Sequence, residues 1–235
     1  GHYDVRSGPL VVIDLCNSDK YVLITPDGWE ITKEVNVIFN RPPNLKPLPI
    51  PKKGGNLDDL NKILDLKEDD FILLRSVICS WMRGQATNHT THPVTSFEGP
   101  AGSAKSSKSK MLKYTLDPGT PEVRLSPKTP QDIAVGAKVS YINVLDNISH
   151  FEAPIQDALC GIASGTATAG RKLFSDDEEL VVEICRPIII NGISYHARPD
   201  LQSRMIVINL NSISKSQRKT ESTIWKEIET LRPSI

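Results

Sequence analysis

The chain has 235 residues, of which 39% are hydrophobic, and its 28 basic and 28 acidic residues cancel to a net charge of zero. This composition is sufficient to bury a core, predicts one ordinary domain with a small accessory one, and gives no global signature of nucleic-acid binding. No apolar run approaches the ~18 residues of a membrane span, and the dispersed cysteines Cys16, Cys79, Cys160 and Cys185 are typical of reduced, buried thiols in a cytosolic protein.

Residues 1–40 are predicted to form a small β module. Apolar runs at 10–15 and 20–25 read as strands, the sequence Pro-Asp-Gly at 26–28 is a turn, and residues 30–39 predict one or two further strands. Residues 41–55 hold five prolines and two glycines, which indicates a stiff, extended linker.

Residues 56–92 are predicted to be a helical lead-in. Asn56 is placed to cap a helix over 57–64, and apolar side chains at helical spacing predict a second helix over 69–83. From residue 93 to 235 strands alternate with helices, with one hairpin, and helical sequence follows at the end. This alternation predicts an α/β fold with a parallel sheet flanked by helices.

A glycine-rich loop follows the first predicted strand of this region, residues 93–98, and precedes a helix that opens at Lys105. Such a loop cradles phosphates with inward-turned backbone N–H groups, a lysine reaches the β and γ oxygens, and a hydroxyl ligates Mg²⁺. Lys105 and Ser106 supply these two groups. The residues predicted to bind the nucleotide ATP are Gly99, Pro100, Ala101, Gly102, Ser103, Ala104, Lys105, Ser106 and Ser107.

Ala104 departs from the pattern G-x-x-x-x-G-K-[ST], which has glycine at this position. A methyl group is tolerated there if the φ angle stays negative or the Cβ points away from the nucleotide. The alternative is a chance loop of glycine, serine and lysine, but the flanking strand and amphipathic helix favour nucleotide binding.

A phosphate loop of this kind needs a metal-organising acid at the end of a neighbouring buried strand. The apolar run 139–145 ends at Asp146, which we therefore predict to bind Mg²⁺ together with Ser106. The alternative for Asp146 is an N-cap of the next helix. Asn147 follows it, and an amide can orient a water but cannot accept its proton.

A third buried strand, residues 186–192, ends in Asn191, which is placed to bind the γ-phosphate or the attacking water. An ordinary Asn-Gly turn is the alternative. Arg198 and Arg204 precede the last predicted strand, residues 205–210, where an arginine could reach the nucleotide of a neighbouring subunit. The alternative for either arginine is a surface ion pair.

Together these motifs resemble a family of bacterial and phage ATP-binding proteins of mobile elements. The shared features are the loop, the apolar strand ending in Asp-Asn, the segments Asp-Ala-Leu-Cys-Gly-Ile-Ala-Ser-Gly and Phe-Ser-Asp-Asp-Glu-Glu, the strand ending in Asn-Gly, and Arg-Pro-Asp-Leu-x-x-Arg. That family is related to the superfamily III helicases and to poxvirus-type primase-helicases. The resemblance spans roughly residues 10–235.

The resemblance implies an AAA+ fold that uses ATP with Mg²⁺. It also implies a ring oligomer, which we expect to be a hexamer, and action on single-stranded DNA. By position it makes Lys105, Asp146, Asn147 and Asn191 catalytic residues, and Arg204, with Arg198 second, the finger that acts across subunits. The resemblance makes Asn191 the sensor residue, and a hairpin that precedes its strand would reach into the pore of the ring. Arg171 and Lys172 are the basic residues of this hairpin.

Three functions follow from these patterns. The first is a ring ATPase motor, a helicase or translocase, that acts in the replication of a phage or mobile element. The second is a slow nucleotide-dependent switch or assembly module without helicase activity. The third is a small-molecule kinase, which the finger-like arginines and the sensor-type Asn191 disfavour.

Overall fold

The computed structural model describes residues 3–4, 11–83, 91–148, 150–165, 167–171, 179–192, 196–214, 216 and 218–235. Its first unit is an antiparallel sheet in the order β1-β2-β3-β4. These strands are β1 (Tyr3–Asp4), β2 (Val11–Asn17), β3 (Lys20–Thr25) and β4 (Gly28–Thr32). The small β module is therefore present. Of the one or two further strands predicted over residues 30–39, β4 accounts for one, and no strand is assigned to residues 33–39.

Two helices follow the linker as predicted. Asn56 caps a 3₁₀ turn (Leu57–Leu60) by accepting a hydrogen bond from the N–H of Asp58, and the chain continues into α1 (Asn61–Leu64). The longer helix α2 (Glu68–Met82) buries its apolar stripe, including Phe71, Leu74 and Trp81.

A parallel sheet in the order β10-β5-β9-β6 forms the centre of the second unit. Its strands are β5 (Val94–Glu98), β6 (Asn143–Ile148), β9 (Ile188–Gly192) and β10 (Met205–Asn209). The helices of this unit are α3 (Lys105–Leu116), α4 (Pro130–Val139), α5 (Ala153–Ser164), α6 (Pro199–Gln202) and α7 (Glu221–Leu231). The predicted α/β architecture is confirmed, with a small antiparallel sheet that precedes it in the sequence.

Two hydrophobic clusters cover the two faces of this sheet. One joins the strands to α2, α3 and α7 through residues such as Phe97, Leu112 and Ile228. The other joins them to α4, α5 and α6 through residues such as Ile190 and Leu159. Because both faces are covered, the strands are buried along most of their length, and β5 holds two buried polar residues, Thr95 and Ser96, beside its apolar ones.

Helix α4 was not predicted from the sequence. It begins with a capping box, in which the Thr129 hydroxyl accepts from the N–H of Asp132 and the Asp132 carboxylate accepts from the N–H of Thr129. Pro130 occupies the first helical position, where its missing N–H costs nothing.

The antiparallel hairpin of β7 (Ala167–Arg171) and β8 (Glu179–Glu183) is present before β9, as the resemblance implied. The backbone of Arg171 pairs with that of Glu179. Lys172 lies outside the described residues. Within the described part of the chain, no helix has both the length and the apolar character to cross a membrane.

Candidate functional site

The glycine-rich loop, residues 99–104, connects the carboxyl end of β5 to the first turn of α3. Gly99 has no room for a side chain, because a Cβ there would lie 2.4 Å from the carbonyl oxygen of Leu210. Gly102 has a φ of +83°, in the region that glycine adopts without strain. The loop therefore packs against the segment after β10, and both positions require glycine.

Ala104 adopts the left-handed conformation, with φ 60° and ψ 31°, immediately before α3. The first condition that the sequence set for an alanine here, a negative φ, is therefore not met. A left-handed conformation costs a residue with a Cβ roughly 1–2 kcal/mol. The loop stores this strain at the point where it turns into the helix.

Lys105 is the first residue of α3, and its ammonium folds back over the loop. Its Nζ donates to the carbonyl oxygens of Gly99 at 2.6 Å and Pro100 at 3.0 Å. The N–H groups of the first turn of α3 have no partner inside the helix, so the helix presents positive charge at the loop. A phosphate could replace the two carbonyl oxygens as the acceptor of Lys105.

Ser106, Asp146 and Asn191 form one hydrogen-bonded group at the carboxyl edge of the parallel sheet. The Ser106 hydroxyl donates to Asp146 Oδ1 at 2.8 Å, and Asn191 Nδ2 donates to the same oxygen at 3.1 Å. The three residues come from α3, β6 and β9; Ser106 and Asp146 are 40 residues apart along the chain, and Asp146 and Asn191 are 45 apart. The fold thus brings together three side chains that the sequence singled out separately.

The structure excludes the alternatives for two of these residues. Asp146 lies within β6, and the N-cap of α5 is Glu152, so Asp146 is not a helix cap. Asn191 lies within β9 and is buried, so it is not part of an Asn-Gly turn.

Asn147 lies beside this group but does not join it. Its φ is 58°, at an irregularity in the pairing of β6 with β9 between Leu145 and Ile148. Asparagine tolerates this left-handed conformation better than most residues. Its side chain is exposed, in contrast to that of Asp146.

Arg204 lies at the opposite, amino edge of the same sheet. It precedes β10, whose first residue Met205 is in register with the first residue of β5, while the loop leaves the far end of β5. Arg204 makes an ion pair with Asp200, and within one subunit it is therefore separated from the loop by the length of the strands. Arg198 pairs with Asp157 of α5 at 2.8 Å.

Three residues near the loop were missed by the sequence reasoning. The Ser109 hydroxyl donates to Asn191 Oδ1 at 2.7 Å and fixes the amide from its other side. A Cβ at Gly102 would lie 2.9 Å from an Nη atom of Arg218, so this guanidinium lies directly on the loop. Lys108 is only 4% exposed, and this burial lowers the pKa of its ammonium against the opposing effect of Asp65.

The described residues contain no group of three or more His, Cys, Asp or Glu side chains that could enclose a metal ion. Mg²⁺ does not need such a cage, because it keeps several waters and takes one or two protein oxygens beside substrate phosphates. The Ser106 hydroxyl and the Asp146 carboxylate, 2.8 Å apart, provide two suitable oxygens. These residues fit the ion.

Residues 60–235 match the family model of the actinomycete integrative conjugative element replication protein, which is about three quarters of the chain. The chain belongs to this family. The replication protein of a mobile element that the motifs suggested is thereby confirmed at family level. No curated protein sequence matches the chain.

Solved structures share the fold of this replication protein at low sequence identity. The apo structure of the NrS-1 C-terminal region in its A form has a TM-score of 0.53 and 14% identity, and covers 96% of this chain. The alignment spans 64% of that NrS-1 chain, so the replication protein described here corresponds to part of its length. An X-ray structure of JCV helicase matches with a TM-score of 0.45 and 15% identity, over 76% of this chain and 52% of the helicase chain.

Proposed function

We propose that the chain is an ATP-binding and ATP-hydrolysing AAA+ motor domain, a helicase or translocase that acts in replication of its mobile element. The hydrogen-bonded group of Ser106, Asp146 and Asn191 beside the Lys105 loop carries this proposal. A loop alone is common, but a hydroxyl, a carboxylate and a strand-end amide joined at its edge match the parts that phosphoryl transfer needs.

Each residue has a definite task in this proposal. Lys105 leaves the carbonyl oxygens of Gly99 and Pro100 and donates to the β and γ oxygens of ATP. Ser106 and Asp146 hold Mg²⁺, which when bound neutralises charge on the phosphates. Asn191, held by Ser109, keeps the Asp146 carboxylate in position and presents an amide at the strand tip.

The same proposal assigns the amino edge of the sheet to a neighbouring subunit. Arg204 cannot reach the loop of its own subunit from the opposite edge, so it would act in trans in a ring, which we expect to be a hexamer. Arg198 is the second candidate for this role. Arg171 on β7, together with Lys172, would contact single-stranded DNA in the pore.

A slow nucleotide-dependent switch is the second candidate, and Asn147 favours it. An amide cannot take a proton from the attacking water, and this side chain is exposed in a left-handed turn outside the hydrogen-bonded group. Hydrolysis would then be slow, and ATP would chiefly set assembly.

The test measures ATP binding by calorimetry, and hydrolysis with and without single-stranded DNA. Lys105→Ala should weaken ATP by about 1.5–3 kcal/mol through loss of a charge-assisted contact. Asp146→Ala should abolish Mg²⁺-dependent turnover, with Asp27→Ala, an exposed residue of the turn between β3 and β4, as the control. Unchanged affinity in Lys105→Ala, or a wild-type rate in Asp146→Ala, contradicts the proposal and would redirect the metal search to Asp177, Glu178 and Glu179.

The response of turnover to DNA, and the turnover of an Asn147 variant, distinguish the motor from the switch. Turnover that rises with single-stranded DNA supports the motor, and turnover indifferent to DNA supports the switch. Asn147→Glu should leave hydrolysis intact or raise it, since a carboxylate can act as a base.

A further inference from the structure

A cavity of about 530 Å³ opens beside the phosphate loop. Gly102 and Ala104 of the loop form part of its wall, and the rest comes from α1, α3, α7 and the segment that precedes α7. Its volume lies within the range of small-molecule sites, about 300–1,000 Å³. A ligand with phosphates on the loop would therefore extend its remaining part into this space.

The lining of the cavity combines apolar side chains with charged ones, among them Lys62, Arg218, Lys219 and Glu227. Ile63 from α1, Met111 from α3, Ile224 from α7 and Ile213 from the connecting segment line it. Side chains of this kind, from several elements, suit the faces of a flat heterocycle. Polar groups in such a site fix orientation and give specificity.

Lys108 is the buried polar side chain of this cavity. It lies one turn of α3 after the loop, is 4% exposed, and lines the space. Within the described part of the chain, the carbonyl oxygen of Asp65 is the acceptor of its ammonium, at a long 3.3 Å. An ammonium carries three donors, so at least two point at no protein acceptor there. A buried charge left in this state is costly unless a ligand completes its hydrogen bonds.

We propose that Lys108 recognises the base of the nucleoside triphosphate, by donating to a ring nitrogen or carbonyl oxygen of a base held between the apolar side chains of the cavity. The inference rests on the proposed function, because it requires the triphosphate to lie on the loop. The competing role is structural: Lys108 ties the end of α1 to α3 through Asp65 and does nothing for the ligand.

Inorganic tripolyphosphate separates these roles, because it has the phosphates of ATP but no nucleoside. Affinities for ATP and tripolyphosphate are measured by calorimetry for the wild type, Lys108→Met and Lys110→Met. Methionine keeps an unbranched apolar stem and removes the ammonium. Lys110 is on the same helix but does not line the cavity, so it is the matched control.

Lys108→Met should weaken ATP about 10-fold or more, the loss of a hydrogen bond to a charged group, and leave tripolyphosphate within about 2-fold. Lys110→Met should change neither affinity. Lys108→Gln, which keeps a donor, replaces Lys108→Met if the methionine variant does not fold, and should show a smaller loss for ATP alone.

Two results overturn the inference while the proposed function stands. One is an equal loss for both ligands, which would mean that Lys108 acts on the phosphates. The other is no loss for either ligand, which would leave the structural tie. If the wild type binds neither ATP nor tripolyphosphate, the loop assignment itself fails, and the inference fails with it.

Discussion

The polar side chains at the two edges of the parallel sheet differ in their hydrogen bonding. At the carboxyl edge, Ser106, Asp146, Asn191 and Ser109 bond to one another in a chain that runs from α3 across two strands. At the amino edge, the imidazole of His92 is buried, and among the described residues neither ring nitrogen has a hydrogen-bond partner. A group of hydrogen-bonded polar side chains at a sheet edge can bind a ligand, whereas a buried polar side chain isolated from others affects the stability of the fold.

The surface differs again, because Arg204 at the amino edge and Arg198 beside α5 are paired and partly exposed. Surface pairs of this kind contribute at most about 1 kcal/mol to stability. If these arginines matter more than that, the reason must lie outside the subunit, and their loss gives the largest effect that we expect.

Arg204→Ala should bind ATP normally and lose about 10³-fold or more in turnover, as finger arginines do in other phosphoryl-transfer enzymes. Steady-state ATPase assays and calorimetry on the same preparation check this. Mixing the variant with Lys105→Ala protein should restore part of the activity, because some interfaces then join an intact loop to an intact finger.

Asp200→Asn is the control for that experiment, since it removes the ion pair of Arg204 but keeps the guanidinium. Arg198→Ala should be assayed in parallel. Wild-type turnover in both arginine variants, or a protein that stays monomeric with ATP at high concentration, would end the ring interpretation and leave the amino edge with a structural role.

Asn191→Ala sharpens the interpretation of the carboxyl edge. It removes the donor that holds Asp146 Oδ1, and loss of such an outer partner costs 10- to 100-fold in metal affinity or activity. The Mg²⁺ concentration for half-maximal turnover should therefore rise by about that factor. Ser109→Ala, one bond further out, should raise it less, and an unchanged Mg²⁺ dependence in both variants would show that the chain of hydrogen bonds does not reach the metal site.

His92 gives the amino edge a measurable pH dependence. Burial, with Arg186 nearby, lowers the pKa of His92 from 6.5 to about 4. The unfolded chain thus binds the proton more readily than the folded one, so stability is full above pH 6.5 and falls as the pH decreases toward 4. Between pH 7.5 and 5 the loss should be about 2 kcal/mol.

Denaturant unfolding at the two pH values measures this loss. In His92→Phe, which cannot titrate, the part of the pH dependence due to His92 should disappear. An equal loss in wild type and variant would assign the acid sensitivity to other groups.

Ala104→Gly carries the smallest expected effect and tests the strain in the loop. Glycine removes a cost of roughly 1–2 kcal/mol for the left-handed conformation but adds about 0.5–1 kcal/mol of chain entropy. The free energy of unfolding should rise by up to about 1.5 kcal/mol, seen as a higher melting temperature. A lower melting temperature would mean that the methyl group packs usefully.

Much of this arrangement can be predicted from the sequence, because the ends of buried strands can be recognised there. Asp146 and Asn191 follow apolar runs, and parallel strands bring their carboxyl ends to one edge. Helix α4 was not predicted although Thr129 and Asp132 have capping-box spacing, because a proline-rich stretch precedes it. Ser109 depends on the phase of α3, and the surroundings of Lys108 depend on α1 and α7, which are remote in sequence. Local patterns do not report such packing.

The proline-rich segment also differs from a free spacer. Its backbone bonds to that of residues 118 and 120, just beyond α3, while Leu48 bonds to Leu15 of β2 and Lys52 to Pro233. Helix α3 therefore joins the phosphate loop at one end to this strip of backbone at the other, about 18 Å away. Because a helix of this length is stiff along its axis, the strip of backbone that contacts the β module is held at a fixed distance from the phosphate loop.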